Sequence, residues 1–404
     1  MKENLKKITP VLLGADLNAY SVAIAFHEAY GVKSHAFGRY KCGLSSYSKI
    51  VKIEFCSGYD SIDVILPELI FFAEKNTDTK LFLVPCADCY VEFILKHEEE
   101  LRKYYSFLVP KEELFEKLTD KASFYKEISR QGIEYPEFTE LSEGDNYYKK
   151  LSKTEYPAVL KPSVSAEYWR HPFPGMRKVY YPESADEAAS IIGEFRYYGY
   201  RDGIVLQKKI ENPEHYVYTG LWNKKSECDF GVFGRVALEE RGKTSEGNHS
   251  AIFTEEKNEL CKRLDKFLES LGYVGFANFD ILKSDGKFYV LELNARQGRS
   301  CDYIRAAGIN IAERLVSAIT SEVNFLDENY KKIFWHYPPF KLASEYMTRK
   351  NSEKALYFKK AGLAFSPLNY RGDIFANPVR FGYVTLHGHR LRKAYCKDFG
   401  ERKA

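Results

Sequence analysis

The sequence predicts a small parallel α/β domain, then a larger α+β domain, then a basic C-terminal segment, and three observations carry that reading. Over the first 115 residues, short apolar runs alternate with stretches of helical periodicity. Beyond them the strands come in succession and end in a strand-turn-strand unit at 275–294. The 404 residues carry a formal charge of +4, yet from residue 331 onward sixteen Lys and Arg face five Asp and Glu, a balance of +11 that leaves about −7 for the rest.

Apolar residues make up 45% and charged residues 29%, which excludes a disordered or fibrous chain. The longest apolar stretch, 62–73, is broken by Pro67 and Glu68 and falls short of the roughly 20 residues a membrane span needs. The basic start is followed by too short an apolar run for a secretory signal, so the cytoplasm is the expected compartment. Eight cysteines (42, 56, 86, 89, 228, 261, 301 and 396) are scattered along the chain. Cys86 and Cys89 form a C-x-x-C pair without a second pair or a thioredoxin-like context, so the cysteines read as mostly buried thiols.

The first domain opens with a strand at 11–13, a turn Gly14-Ala15-Asp16-Leu17-Asn18, and a helix spaced through Val22, Ala25, Phe26 and Ala29 that stops at Gly31. Strands at 50–55 and 81–85 then alternate with helices at 61–75 and 90–105. Asp16 and Asp88 fall at strand ends, the edge where open parallel sheets bind small molecules. The single glycine of the first turn excludes a G-x-G-x-x-G dinucleotide fingerprint.

A helix at 114–131 and a boundary at 132–136 lead into strands at 158–161 and 203–208 around a helix at 184–197. Strands at 216–222 and 228–238 follow. The polar, Gly-containing run 239–248 reads as a mobile loop, expected to close over a bound nucleotide, and a helix at 254–271 ends at Gly272. His387 and His389 read as alternating neighbours on a surface strand.

The most informative stretch is GFANFDILKSDGKFYVLELNARQGRS, 275–300, with a turn at 284–286. Alternation puts Asn278 and Asp280 on one face of the first strand, and Glu292 and Asn294 on one face of the return strand. With a loop of odd length, Asp280 and Glu292 share a side, opposite or diagonal, within about 4.5–8 Å. Two carboxylates and an amide, without His or Cys, form a hard oxygen site suited to Mg²⁺ and polyphosphate. Arg296 and Arg299, just beyond, suit a transferring phosphoryl group and an anionic intermediate.

LELNARQGRS behind the Asp280 strand resembles the metal-binding hairpin of the ATP-grasp superfamily. Thr119-Asp120-Lys121 and PAVLKP at 157–162 resemble the two lysine positions that hold ATP phosphates, and Val205 to Ile210 resembles the strand whose edge meets adenine. IENPEH at 210–215 is similar to the equivalent segment of biotin carboxylases. The superfamily's Gly-rich phosphate loop is replaced here by Ser163-Val164-Ser165-Ala166-Glu167-Tyr168. Segments 11–31, 48–51, 160–162, 275–280 and 294–300 are most similar to the D-aspartate ligase type of ATP-grasp enzyme, and that likeness covers about 8–320.

The resemblance implies an α+β ATP-grasp fold of two lobes clasping ATP, preceded by a parallel α/β domain. The units are then 1–115, 116–325 (a nucleotide lobe 116–210 and a catalytic lobe 211–325) and a basic extension 326–404. It implies ATP and Mg²⁺ as cofactors and amide formation through an acyl phosphate, with ADP and phosphate released. D-aspartate would be joined to the side-chain amine of a peptidoglycan precursor; another amino acid or small carboxylate joined to a different amine is the alternative within the fold. Implied roles are metal binding for Asp280, Glu292 and Asn294; phosphate and nucleotide binding for Lys121, Lys161, Gln207, Lys208, Ile210 and His215; catalysis for Arg296, Arg299 and Ser300; and substrate binding for Asp16, Asn18 and Asp88. An Asx turn explains Asp16 and Asn18 equally well. The basic segment around Arg390, Arg392 and Lys393 is expected to help hold an anionic cell-wall nucleotide precursor. A regulatory protein without activity would be expected to lack a metal carboxylate or a lysine, and all are present. A nucleic-acid role rests on the basic tail alone and lacks an RNA-binding signature. The oligomeric state stays open, a homodimer among the options.

Overall fold

The computed structural model describes residues 7–400 except 41–42, 59–61, 145 and 322–328. Cys42 and the expected boundary at 325/326 lie outside the described residues.

The N-terminal sheet is parallel throughout, with β1 (Ile8–Leu13), β2 (Ser34–Gly38), β3 (Val51–Cys56), β4 (Lys80–Pro85) and β5 (Tyr105–Ser106) in the order β3-β2-β1-β4-β5. β1 is the central strand, and its near-continuous apolar run ITPVLL is what burial on both faces demands. Asp16 caps the helix Leu17–Tyr30, accepting from Ala19 N at 3.2 Å, and Gly31 ends it in the left-handed region at φ 69°. β2 escapes the sequence reading because SHAFG has too little apolar content to stand out.

The helix expected at 114–131 is two helices, Glu112–Thr119 and Lys121–Arg130. Asp120 leaves helical geometry between them and caps the second through Ser123 N at 2.8 Å. The small antiparallel sheet that follows holds β6 (Phe138–Leu141), β7 (Ala158–Pro162) and β8 (Ile204–Lys208) in the order β6-β8-β7. It packs Leu160, Ile204 and Leu206 against Ile192 and Phe195 of the helix Ala185–Tyr197.

The third sheet comprises β9 (Glu214–Trp222), β10 (Cys228–Glu239), β11 (His249–Glu255), β12 (Gly275–Ser284), β13 (Lys287–Asn294), β14 (Phe334–His336) and β15 (Ala364–Phe365). Their order is β13-β12-β9-β10-β11-β14-β15, antiparallel except for the last pair. The helix predicted from 254 starts only at Glu259, where Asn258 caps it through Cys261 N at 3.1 Å. Residues 249–255 are released to form β11. Phe267 and Leu268 of that helix cover Phe279 and Trp222 on one face of the sheet; Tyr303 and the helix Ile311–Thr320 cover the other, where Trp335 of β14 joins the same core.

The segment expected as an appended basic extension is built into this sheet through β14 and β15. It ends in the helix Pro378–Phe399, which carries His387 and His389, so these are helical residues and not strand neighbours. None of the described helices is long and apolar enough to cross a membrane. Between β15 and the helix, Asp373 enters the N-terminal domain, fully buried. It accepts from Tyr20 Oη at 2.8 Å and Lys49 N at 2.7 Å and pairs with the equally buried Arg380 at 3.1 Å. Arg380 also lies over the Tyr20 ring, 4.5 Å from its centroid, and donates to Ser46 O.

Removing one member of a buried ion pair strands the other charge in a low dielectric. Asp373→Ala is therefore expected to lower stability by about 3–5 kcal/mol, read from denaturant unfolding; a loss below about 1 kcal/mol would show that the pair is not what joins the two regions.

Candidate active site

The hairpin delivers its acids by a route the alternation alone does not contain. Its loop has two residues, Asp285 and Gly286, both at positive φ, with Ser284 opposite Lys287. In that register Asp280 would face Leu291 and Glu292 would point to the other side. A bulge between Asp280 and Ile281 shifts the pairing by one, so Asp280 stands opposite Glu292 and Asn278 opposite Asn294. The condition of an odd loop is not met, and the bulge replaces it. Tyr125 Oη holds the bulged residue, donating to Leu291 O at 2.6 Å.

The cleft face is continued by Thr219, whose hydroxyl donates to Asn278 Oδ1 at 2.7 Å, while Asn278 Nδ2 donates to Asp280 Oδ1 at 3.3 Å. Gly298 packs so close to Asn278 that a Cβ there would overlap its amide oxygen. Burial and the charge of Glu292 push the Asp280 carboxyl well above the usual carboxylate range. Burial also opposes ionisation of Glu292, but the ammonium groups of Lys121, Lys161 and Lys178 outweigh it and hold that carboxyl well below its usual value.

These lysines come from three elements of the smaller lobe. Lys121, the first residue of its helix and 4% exposed, pairs with Glu292 at 3.2 Å and donates to Ser165 Oγ at 2.9 Å. Lys161 lies on β7, where burial draws its ammonium down. Lys178, absent from the sequence reading, lines the cavity from an irregular segment, and its ammonium makes one long bond, 3.4 Å to Asn248 Oδ1. Sequence signal for it was slight: a single lysine in PGMRKVY, outside any periodic element.

The two arginines are held by acids. Arg296 donates through Nε and Nη2 to Asp88 Oδ2 at 3.1 and 2.8 Å and through Nη2 to Asn294 Oδ1 at 3.2 Å. Arg299 pairs with Glu240 at 3.0 Å and lies over the Tyr337 ring at 5.0 Å. Tyr337 Oη is 2.7 Å from His387 Nε2, so the C-terminal helix backs Arg299. Ser300 is buried and lines the same cavity, as does Asp88. Asp16 is exposed and spends Oδ1 on its helix cap.

Several expected residues do other work. Asn18 is buried and spends both N–H groups on Cys86 O at 2.9 Å and Gln297 O at 3.0 Å, which joins the N-terminal sheet to the loop after β13 and leaves no donor for a substrate. Gln207 is buried and donates to Tyr125 Oη, so its side chain supports the bulge. Lys208 is exposed and pairs with Glu155 at 3.1 Å; Ile210 follows the strand, half-buried. His215 pairs with Glu239 at 2.8 Å, and that partner outweighs burial and raises its pKa. Neither Gln207, Lys208, Ile210 nor His215 lines the cavity that holds Asp280 and Glu292. His249, which stands in the run 249–253 between the expected loop and the expected helix, does line it, and burial takes its imidazole down to about 4. At the other end, Arg392 is paired with Glu345 at 2.9 Å and His387 faces inward, so the expected basic cluster is divided.

The cavity between the lobes, about 670 Å³, runs past Asp280, Glu292, Asn294, Arg296 and Arg299. A second, about 500 Å³, reaches Glu292 and Asn294 from the side of Asp88, Glu92, Glu116 and Asp120. Among the described residues no group of three His, Cys, Asp or Glu forms a metal cage. Two ionisable carboxylates and an amide instead fit a hard cation that takes its remaining ligands from phosphate and water.

Residues 118–300 match the family described as ATP-grasp domain. Over 367 residues the chain is 29% identical to the D-aspartate ligase of Enterococcus faecium (strain Aus0004), covering 87% of each. Among solved structures, the Campylobacter jejuni biotin carboxylase β,γ-ATP complex superposes with a TM-score of 0.59 at 17% identity, covering 82% of this chain and 75% of that one. The L-amino acid ligase of Bacillus licheniformis gives 0.55 at 17%, covering 79% and 76%.

The turn between β10 and β11 is fastened to the Lys178 segment: Lys178 N donates to Lys243 O at 3.0 Å and Tyr181 Oη to Glu246 at 3.0 Å. The two segments are expected to be protected together. Hydrogen exchange at 240–248 and 176–181 should slow in concert when a non-hydrolysable ATP analogue and Mg²⁺ are added; protection confined to the N-terminal domain would exclude a lid here.

Proposed function

We propose that this chain, whose residues 118–300 form an ATP-grasp domain, is an ATP-dependent carboxylate-amine ligase that joins D-aspartate to the side-chain amine of a peptidoglycan precursor. The observation that carries the reaction type is the opposition of Asp280 and Glu292 beneath three lysines, with two acid-held arginines just beyond. Likeness to the Enterococcus faecium D-aspartate ligase supports the choice of amino acid; the peptidoglycan amine is the acceptor we propose on the sequence resemblance.

In this reading Asp280, Glu292 and Asn294 would hold Mg²⁺, which offsets phosphate charge as the γ-phosphoryl group moves. Lys121, Lys161 and Lys178 hold the phosphate oxygens. A carboxylate oxygen of the amino acid attacks the γ-phosphorus, the bond to ADP breaks, and the resulting acyl phosphate is attacked by the amine, which expels phosphate. Arg296 and Arg299 orient the carboxylate and the oxyanion, each aimed by its own acid, Asp88 or Glu240. Asp88 keeps a buried oxygen, Oδ1, without a hydrogen-bond partner among the described residues, an acceptor for a substrate N–H. The smaller cavity gives the amine its own entrance, lined by acids that attract an ammonium group.

The test is an ADP-release screen of amino acids, D-aspartate included, with and without a muropeptide nucleotide. Mg²⁺-dependent ADP and phosphate are expected, abolished by chelator; AMP and pyrophosphate would overturn the acyl-phosphate reading, and turnover with other amino acids alone would overturn the choice of D-aspartate. Glu292→Gln should lower turnover about 100-fold or more. Lys178→Met should lower kcat about 100-fold, with part restored in Lys178→Arg; an unchanged kcat would remove Lys178 from the site.

A further inference from the structure

We propose that the outer face of the helix Pro378–Phe399 docks on an anionic phospholipid surface. Large apolar side chains stand exposed there: Phe375 is 77% exposed, Val379 59% and Leu386 61%. Tyr47, 61% exposed, joins them, its ring 5.7 Å from that of Tyr383. An apolar group of this kind, rimmed by polar residues, marks a contact surface.

The helix divides its sides cleanly. Arg380 and Tyr395 are buried and His387 is tied to Tyr337, so the inner side is committed to the protein. At 100° per residue Val379, Leu386, Arg390, Lys393 and Lys397 fall along the opposite side, apolar in the first half and basic in the second. No Asp or Glu occurs between 374 and 397. Arg392 is neutralised by Glu345 and Arg380 by Asp373, whereas Arg390, Lys393 and Lys397 are exposed.

Charge decides between occupants. A second copy packed on this face would set Arg390, Lys393 and Lys397 against their own equivalents or against the partner's apolar half, and in neither arrangement does the stripe offer an acid to meet them. An anionic bilayer instead attracts all three while the aromatic and aliphatic side chains enter the headgroup boundary, the side-by-side arrangement that interfacial helices use. From Val379 to Lys397 the stripe runs roughly 27 Å, long enough to lie along such a surface. The surface is independent of the amide-forming reading, since none of its side chains lines the cleft.

The test is co-sedimentation of the full chain with vesicles of phosphatidylglycerol and phosphatidylcholine, or of phosphatidylcholine alone, at about 0.05 and 0.5 M salt. Binding is expected to the anionic vesicles at low salt, falling at high salt. Arg390→Gln with Lys393→Gln should lower partitioning roughly 30-fold, and Phe375→Ser, Val379→Ser and Leu386→Ser together roughly 10-fold or more, the latter with unchanged ATP turnover in the absence of vesicles. Equal binding to both vesicle types, no binding to either, or partitioning unmoved by both variants would overturn the proposal. So would a dimer in sedimentation velocity that the apolar triple variant dissolves, because a second copy then covers this face.

Discussion

Two half-buried carboxylates opposite each other on paired strands repel, and the protein answers with cations brought in from elsewhere. Asp280 and Glu292 sit on the large sheet, but the ammonium groups that keep Glu292 ionised all belong to the smaller lobe: Lys121 at a helix start, Lys161 on a strand and Lys178 on an irregular segment. The same attraction that stabilises the acid therefore draws one lobe toward the other. The ion pair of Lys121 with Glu292 bridges the cleft, and arriving phosphates would meet cations turned inward.

Across the cavity the logic is reversed. Arg296 and Arg299 are each fixed by a carboxylate from a different part of the chain, Asp88 from the N-terminal domain and Glu240 from the turn after β10. Each guanidinium is thereby oriented while retaining N–H groups for a ligand. Arg170 adds a tie between domains, donating to both oxygens of Glu92 at 2.8 Å while pairing with Glu167. The cleft is thus bounded by side chains whose geometry depends on three parts of the chain meeting correctly.

The hairpin was legible in the sequence because period-2 alternation and a Ser-Asp-Gly turn are local properties. Its decisive feature was not: the bulge at Leu291 depends on Tyr125, 166 residues earlier, accepting from Gln207 and donating to the Leu291 carbonyl. Gln207 and Asn18 illustrate the same limit, since polar side chains at strand and helix ends look identical whether they meet a ligand or a distant carbonyl. β11 was obscured because Asn258, the true helix cap, stands four residues beyond the expected start, and HSAIFTE is ambiguous between period 2 and period 3.6. His387 and His389 read as strand because nothing in their immediate neighbourhood shows the helix that Asn377 begins. The +11 balance of the C-terminal segment was visible in composition, but its division into paired and exposed charges required the fold.

Asp373 has a consequence for the order in which the chain matures. Its bond to Tyr20 spans 353 residues, and that to Lys49 spans 324. During synthesis the N-terminal domain can assemble its five-stranded sheet early, yet the first helix acquires its final polar partner only after residue 373 has emerged, and the charge of Asp373 is balanced only once Arg380 follows. Until then the hydroxyl of Tyr20 and the loop around Lys49 face solvent. The polar contacts of the first helix thus wait on a segment more than 300 residues later, a long-range closure whose loop entropy has to be met before the contact repays it.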